Sequence, residues 1–193
     1  MAYAGQTLSN PVSGETIQFV QTAADTDGEL LAIDLTLTPD GHVPGTHVHP
    51  EQEERFEVLS GTMKFKLGFN TIIAGPGDTV VVPAGKRHRF SNAGDEDAHV
   101  HVEVRPALRM EELFETTVAL AEEGRVMSSG MPRPLELALF VREYKREVRA
   151  PFPPPWVVRA TTAPVAALAR LLGRAERYRE AGAVREVAAA ATA

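Results

Sequence analysis

The stretch GHVPGTHVHPEQEERFEVLSG, from Gly41 to Gly61, decides how the fold of this chain is to be understood. It holds three of the six histidines of the chain, and a group of glutamates follows them directly. Two explanations are open at this point: a polar hairpin at the surface, or a metal site.

The spacing of the polar residues in this stretch favours the metal site. Residues two apart in an extended chain point to the same side, so His47 and His49 share a face and can converge on one ion. In the next predicted strand Glu54 shares a face with Phe56, whereas Glu53 lies on the opposite face. Because the apolar face is the one to bury, we expect Glu54 to point inward and Glu53 to meet solvent. A lone buried carboxylate is costly, and a bound cation offsets that cost.

A second stretch, GDTVVVPAGKRHRFSN, offers one more candidate ligand. His88 and Phe90 share a face there, with arginines opposite, so His88 points inward if Phe90 does.

Together the two stretches resemble the two sequence motifs of the cupins, which are small β-barrel proteins. Their motifs are G(X)5HXH(X)3–4E(X)6G and G(X)5PXG(X)2H(X)3N, and the resemblance covers roughly residues 30–105. All specified positions are matched: Gly41, His47, His49, Glu54, Gly61, Gly77, Pro83, Gly85, His88 and Asn92.

The resemblance implies that His47, His49, Glu54 and His88 bind one divalent metal ion. Nitrogen and oxygen ligands without sulfur suit Fe, Mn, Ni, Cu or Zn, and the sequence does not choose among them. The alternative is a vestigial site that binds adventitious metal or none. The glycines, the proline and Asn92 are expected to have structural roles at turns.

Hydrophobic periodicity predicts a β domain followed by helices. Up to about residue 105, short runs such as ELLAIDLTLTPDG and AHVHVEV alternate with period two and are separated by turns. After Pro106 the period changes to that of a helix. We therefore predict an antiparallel β-barrel or jelly roll over residues 1–106 and an α-helical extension over residues 107–193, packed on the barrel or on a dimer partner.

Three helices are predicted in this extension, over residues 109–124, 134–150 and 163–180. Each carries an apolar stripe that needs a partner, and the third also has a basic face. The stripes are Met110, Leu113, Phe114 and Val118; Leu137, Val141 and Tyr144; and Val165, Leu168, Leu172 and Ala175; the basic face is Arg170, Arg174 and Arg177.

Composition narrows the class of protein. There is no cysteine, which excludes disulfides, thiolate metal sites and cysteine nucleophiles. The N-terminal residues do not have the pattern of a secretory signal, and no apolar run approaches the ~20 residues that span a bilayer. Residues 1–141 hold 10 basic against 21 acidic residues, whereas residues 142–193 hold 10 against 5. We expect a cytoplasmic protein without an integral membrane segment and without a nucleic-acid partner.

Three further polar residues have two interpretations each. His42 is either a solvated loop histidine or a residue that supports the metal ligands. His101 and Glu103 lie on the polar face of AHVHVEV, opposite its valines. The simple interpretation exposes this face, and the alternative turns it into the barrel as supporting or acid–base groups.

Fold does not fix function, so three hypotheses remain. The first is an oxidoreductase of the dioxygenase type acting on a small molecule, in which Glu54 also accepts a proton. The second is a metal-dependent isomerase, cyclase or lyase in which the ion polarises a carbonyl. The third is a non-catalytic ligand-binding module. A homodimer is the assembly expected from the resemblance.

Overall fold

The computed structural model describes residues 2–175. Within this part of the chain, nine strands precede three helices. The strands are β1 (Thr7–Asn10), β2 (Glu15–Gln21), β3 (Leu31–Leu37), β4 (Glu53–Ser60), β5 (Met63–Leu67), β6 (Asn70–Ala74), β7 (Thr79–Val82), β8 (His88–Asn92) and β9 (Ala98–Arg105), and the helices are α1 (Met110–Glu122), α2 (Pro134–Glu143) and α3 (Pro155–Leu171).

The strands pair as two antiparallel sheets of a jelly roll. One sheet has the order β1-β2-β3-β9-β4-β7 and the other has the order β6-β5-β8. Three phenylalanine rings join the sheets: Phe56 on β4 lies 5.1 Å from both Phe65 on β5 and Phe90 on β8, measured between ring centroids. The predicted fold class is therefore confirmed, with two facing sheets instead of one closed ring of hydrogen-bonded strands among residues 2–175.

The predicted alternation of apolar and polar residues along the strands agrees with the position of the hydrophobic core. On β3 the five apolar residues from Leu31 to Leu37 are buried, Ala32 on the opposite face included, while Asp34 between them is exposed. On β9 the valines are buried and His99 is exposed. This confirms the simple interpretation of the polar face of β9, which lies outside the core.

The first two helices pack on the β domain. Met110 and Leu113 of α1, together with Phe140 and Tyr144 near the end of α2, belong to the same hydrophobic core as both sheets. These contacts agree with the predicted packing, and the division into two domains at residue 106 stays a prediction.

Two predicted helix boundaries are wrong. The second helix ends at Glu143 instead of Ala150, because the backbone of Arg149 pairs with Val48 and so leaves the helical path. The third helix begins at Pro155, eight residues before its predicted start, since proline is well suited to the first helical turn. Its predicted last residues, Arg177 among them, lie outside the described part of the chain.

The predicted stripe of α3 is also partly wrong. Leu168 and Leu172 are 49% and 57% exposed, while Ala166 and Ala169 are fully buried. These alanines pack against α2 in a small cluster that includes Leu139. Small side chains let the two helices approach closely. Val165 and Ala175 do pack against this cluster as predicted, whereas Leu168 and Leu172 do not. Within residues 2–175 no helix is long and apolar enough to cross a membrane.

Candidate metal centre

The four predicted ligands meet between the two sheets. Glu54 lies on β4 of the large sheet and His88 opens β8 of the small sheet. His47 and His88 exchange two backbone hydrogen bonds of 2.9 Å, which adds the segment before β4 to the edge of the small sheet. His49, two residues further along, points to the same centre. The segment is extended as predicted, although only isolated bridges form there.

The ligand atoms of these residues lie within 4.8 Å of one another, a spacing that can hold a metal ion. His49 Nε2 is 3.4 Å from Glu54 Oε1, and His88 Nε2 is 2.8 Å from Glu54 Oε2. Glu54 is buried and Glu53 is exposed, as the face argument predicts. His47 is the most exposed of the four, so the centre is most open on its side.

Each imidazole is oriented through its other nitrogen. The Nδ1 atoms of His47, His49 and His88 lie 3.0, 2.6 and 3.1 Å from the carbonyl oxygens of Gly45, Glu147 and Lys86 respectively. A carbonyl oxygen only accepts, so each Nδ1 carries a proton and donates it. In the neutral ring the lone pair is then on Nε2, which faces the centre. This arrangement is typical of metal-binding histidines.

The converging atoms have no hydrogen-bond partner among residues 2–175. Within this part of the chain, His49 Nε2, His88 Nε2 and Glu54 Oε2 are buried without a hydrogen bond. The 2.8 Å approach of His88 to Glu54 is short in distance but does not have hydrogen-bond geometry. Unpartnered buried polar atoms are costly, and a shared cation would satisfy all three at once.

The electrostatics of the cluster also suit a cation. Burial raises the pKa of Glu54, but His49 and His88 outweigh this effect and hold the pKa at about 2, so the carboxylate is ionised at neutral pH. Burial and the neighbouring His88 and His49 lower the pKa of His47 to about 3, which leaves its ring neutral. Burial lowers the pKa of His88, while the adjacent Glu54 carboxylate more than offsets this and raises it. His88 has to lose any proton on Nε2 before that atom can bind a cation.

The other polar candidates lie elsewhere. His42 Nδ1 donates to Asp40 O, 2.9 Å away, and His42 does not belong to the cluster. His101 Nδ1 contacts Asp34 Oδ1 at 2.7 Å on the outer face of the large sheet. Neither residue supports the ligands directly.

The turn residues of the motifs have the structural roles expected of them. Gly61 has φ of 78°, and a Cβ there would lie 2.6 Å from Ala98 Cα, so no other residue fits without a shift. Asn92 donates from Nδ2 to Leu37 O and Glu96 O and accepts at Oδ1 from Gly94 N. These bonds fix the turn between β8 and β9.

Sequence reasoning missed two residues around the ligands. Glu147 supplies the carbonyl that orients His49, from 98 positions away in the chain. Gln52 is fully buried, lies in sequence between the candidate ligands His49 and Glu54, and donates to the carbonyls of Pro106 and Ala107. The Glu147 contact involves a backbone oxygen, which leaves no signal in side-chain patterns. For Gln52 the sequence gives only a weak signal, which is a glutamine placed among charged candidate ligands.

Comparison with known proteins agrees with this geometry. The family model of the Cupin domain matches residues 34–104. "Polyketide synthase CurC" of Streptomyces cyaneus is 29% identical over 102 residues, which is 52% of this chain and 58% of that protein. The chain thus spans less than two thirds of this curated relative.

Several solved structures are similar to part of this chain. A predicted oxalate decarboxylase of Thermotoga maritima is 20% identical, with a TM-score of 0.48, over 53% of this chain and 92% of that one. An RmlC-like cupin of Shewanella frigidimarina is 16% identical, with a TM-score of 0.47, over 57% and 94%.

All four residues of the candidate metal cluster lie in the segment that the family model matches. The family match, the fold and the paired motifs together show a Cupin domain that contains residues 34–104. Its His/Glu cluster can hold a metal ion.

Proposed function

We propose that this chain is a metal-dependent enzyme that acts on a small, carbonyl-bearing molecule, with one divalent ion held by His47, His49, Glu54 and His88. The observation that supports it best is the set of unpartnered atoms at the centre of the cluster. Three imidazoles are fixed by carbonyl acceptors with Nε2 inward, and a buried carboxylate faces them. Hydrogen bonds from the described residues 2–175 do not satisfy these atoms.

The donor set suits chemistry as well as binding. Four ligands leave positions free on a six-coordinate ion, and the partly exposed side at His47 is where a small molecule can approach. When bound, a divalent ion supplies Lewis acidity, and a redox-active one adds electron transfer to O2. Glu54 serves as an anionic ligand in this proposal. Its predicted role as a proton acceptor is weakly supported, because a carboxylate with a pKa of about 2 holds a proton poorly.

Two reaction classes fit this centre. The dioxygenase type remains the first hypothesis from sequence, since nitrogen and oxygen ligands without sulfur suit redox-active ions. The likeness to a protein named as a polyketide synthase favours the second, because polyketides carry carbonyl groups that a Lewis acid can polarise. A carbonyl compound that can form an enol is a substrate for either class.

The test first measures the metal content of the chain and then the dependence of product formation on O2. Elemental analysis of the purified chain should find about one divalent ion per chain. Fe(II)-, Mn(II)- and Zn(II)-loaded protein is then incubated with enediols, phenols and 1,3-dicarbonyl compounds, with and without O2. A chain that takes up no metal under any of these conditions would refute the proposal.

The outcomes separate the hypotheses. Product formation that consumes O2 and fails with Zn(II) identifies a dioxygenase, because Zn(II) has no redox chemistry. Product formation with Zn(II) under strict anaerobiosis identifies a Lewis-acid isomerase, cyclase or lyase. Tight binding of a compound without any turnover identifies the non-catalytic ligand-binding module and contradicts the enzymatic part of the proposal.

A further inference from the structure

One of the three histidines depends on the helical extension for its orientation. His47 and His88 donate to carbonyls only two residues away, those of Gly45 and Lys86. His49 instead donates to Glu147 O, at 2.6 Å, and both residues are 3% exposed. The shortest of the three orienting bonds therefore comes from outside the segment that the Cupin family model matches.

The residues around Glu147 are held against the ligand segment from several directions. Val48 N donates to Arg149 O at 2.9 Å, and Arg149 N donates back to Val48 O at 3.0 Å. The carboxylate of Glu147 accepts from Arg109 N at 3.3 Å, which ties it to the start of α1. On the surface, Arg146 Nη2 lies 2.7 Å from Glu51 Oε2.

We propose that residues 146–149, termed here the clamp segment, are part of the metal centre and position His49 for metal binding. This inference rests on the proposed function. The Glu147 carbonyl fixes the proton of His49 on Nδ1 and the ring plane with it, so that the Nε2 lone pair is aimed at the ion before it binds. The Val48–Arg149 pair holds that carbonyl in place.

A purely structural role predicts something different. If the clamp segment only stabilised the fold, changes in it would lower the melting temperature and leave the His49 ring and the metal affinity of the folded chain unchanged. A positioning role requires that metal affinity and the state of the His49 ring change together. Loss of a group that orients a ligand typically weakens metal binding by about 10–100-fold.

The experiment uses the full chain and Co(II) alone. Arg149→Pro removes the N–H that donates to Val48 O, and Arg149→Ala keeps it as the matched control. Glu147→Ala removes the carboxylate contact with Arg109 N, and Glu147→Gln keeps an acceptor oxygen there. For each variant we measure the Co(II) dissociation constant, the melting temperature, and the ring nitrogen shifts of His49 in the metal-free chain by 15N NMR.

In the wild-type chain, the nitrogen shifts should report a proton on Nδ1 of His49 and a lone pair on Nε2. Arg149→Pro should weaken Co(II) binding about tenfold or more and give a mixture of His49 tautomers. Arg149→Ala and Glu147→Gln should bind Co(II) within about twofold of the wild type. The Co(II) dissociation constant of Glu147→Ala should lie between the values of these two variants and that of Arg149→Pro. If Arg149→Pro does not fold, the comparison of Glu147→Ala with Glu147→Gln tests the inference instead.

The inference is overturned if Arg149→Pro or, failing that, Glu147→Ala keeps both the wild-type Co(II) affinity and the wild-type His49 shifts. A fall in melting temperature alone would likewise assign the segment a structural role only. Failure of the proposed function looks different. In that case the wild-type chain binds no Co(II), while its His49 shifts still show the proton on Nδ1.

Discussion

At the scale of single residues, the four candidate metal ligands are the part of this protein that local sequence rules identify best. The spacing of His47 and His49 and the choice of Glu54 over Glu53 follow from strand alternation alone, and the structure brings these residues and His88 together. Glu147 could not be found in this way. Its contribution is a backbone carbonyl that reaches His49 only after the chain has folded.

Replacement of a ligand should remove the metal, whereas replacement of its exposed neighbour should not. His49→Ala takes away one of four ligand groups, and we expect elemental analysis to find most of the metal lost. Glu53→Ala is the matched control, because Glu53 precedes Glu54 on β4 and faces solvent. Equal metal loss in the two variants would contradict the assignment of faces, and full retention in His49→Ala would rule out the site.

Glu15 on β2 should make stability depend on pH. Burial raises its pKa to about 7, although a hydrogen bond from Ser13 and the nearby His42 act in the opposite direction. Between pH 4.5 and 7 the native chain therefore keeps a proton that the unfolded chain has lost, and the free energy of unfolding falls as pH rises. Because Glu15 is partly exposed, the loss is on the order of 1–2 kcal/mol.

Glu15→Gln should flatten this profile. The measurement is thermal or urea unfolding of both proteins at several pH values from 5 to 8, with Glu29→Gln as an exposed control. We expect Glu15→Gln to gain stability over the wild type at pH 8 and little at pH 5. A slope as steep as that of the wild type would show that Glu15 is not the group responsible.

At the scale of elements, the strands were predictable and the helix ends were not. Alternation along β3 and β9 is a strong local signal because one face of each strand is buried and the other is not. The end of α2 depends on a distant contact, since Arg149 leaves the helical path to pair with Val48. The buried face of α3 depends on side-chain size at its crossing with α2, where Ala166 and Ala169 allow close packing.

The phenylalanine ring of β5 should be central to the joining of the sheets. Phe65 is 1% exposed, and its ring lies 5.1 Å from that of Phe56 and 6.1 Å from that of Phe90. Phe65→Ala removes a large side chain that both sheets contact, so the free energy of unfolding should fall by about 3–5 kcal/mol.

Urea unfolding checks this prediction, with Phe69→Ala as the control. Phe69 lies in the neighbouring turn and is 96% exposed, and its ring contacts only the Arg87 guanidinium at 4.1 Å among the ring and cation pairs of residues 2–175. Its loss should cost about 1 kcal/mol or less. Similar losses in the two variants would contradict the placement of Phe65 between the sheets.

At the scale of the whole molecule, charge and exposed apolar surface are unevenly distributed. The net charge is −6, although the residues after 141 are net basic. On α3, Trp156 and Leu171 are 73% and 85% exposed within the single chain. Exposed apolar side chains of this size are suited to contact with another surface. The homodimer stays a prediction, and sedimentation of the purified chain at low and high salt tests it.

The extension should be required for a stable β domain. Met110, Leu113, Phe140 and Tyr144 belong to the same hydrophobic core as the two sheets, and each buried apolar side chain contributes about 1.5–3 kcal/mol. Their joint loss is comparable with the whole stability of an ordinary domain, about 5–15 kcal/mol. A chain that ends at Pro106 also loses the Glu147 carbonyl and the Ala107 carbonyl that hold the ligand segment.

We therefore expect the chain ending at Pro106 to aggregate, or to melt lower and bind Co(II) more weakly than the full chain. A chain ending at Ala175 keeps every contact described for residues 2–175 and serves as the control. If the shorter chain stays in solution, binds metal and has the same melting temperature as the full chain, the extension is an independent appendage. Vesicle binding by residues 107–193 then becomes the next measurement, because a helix with a basic and an apolar face also suits a membrane surface.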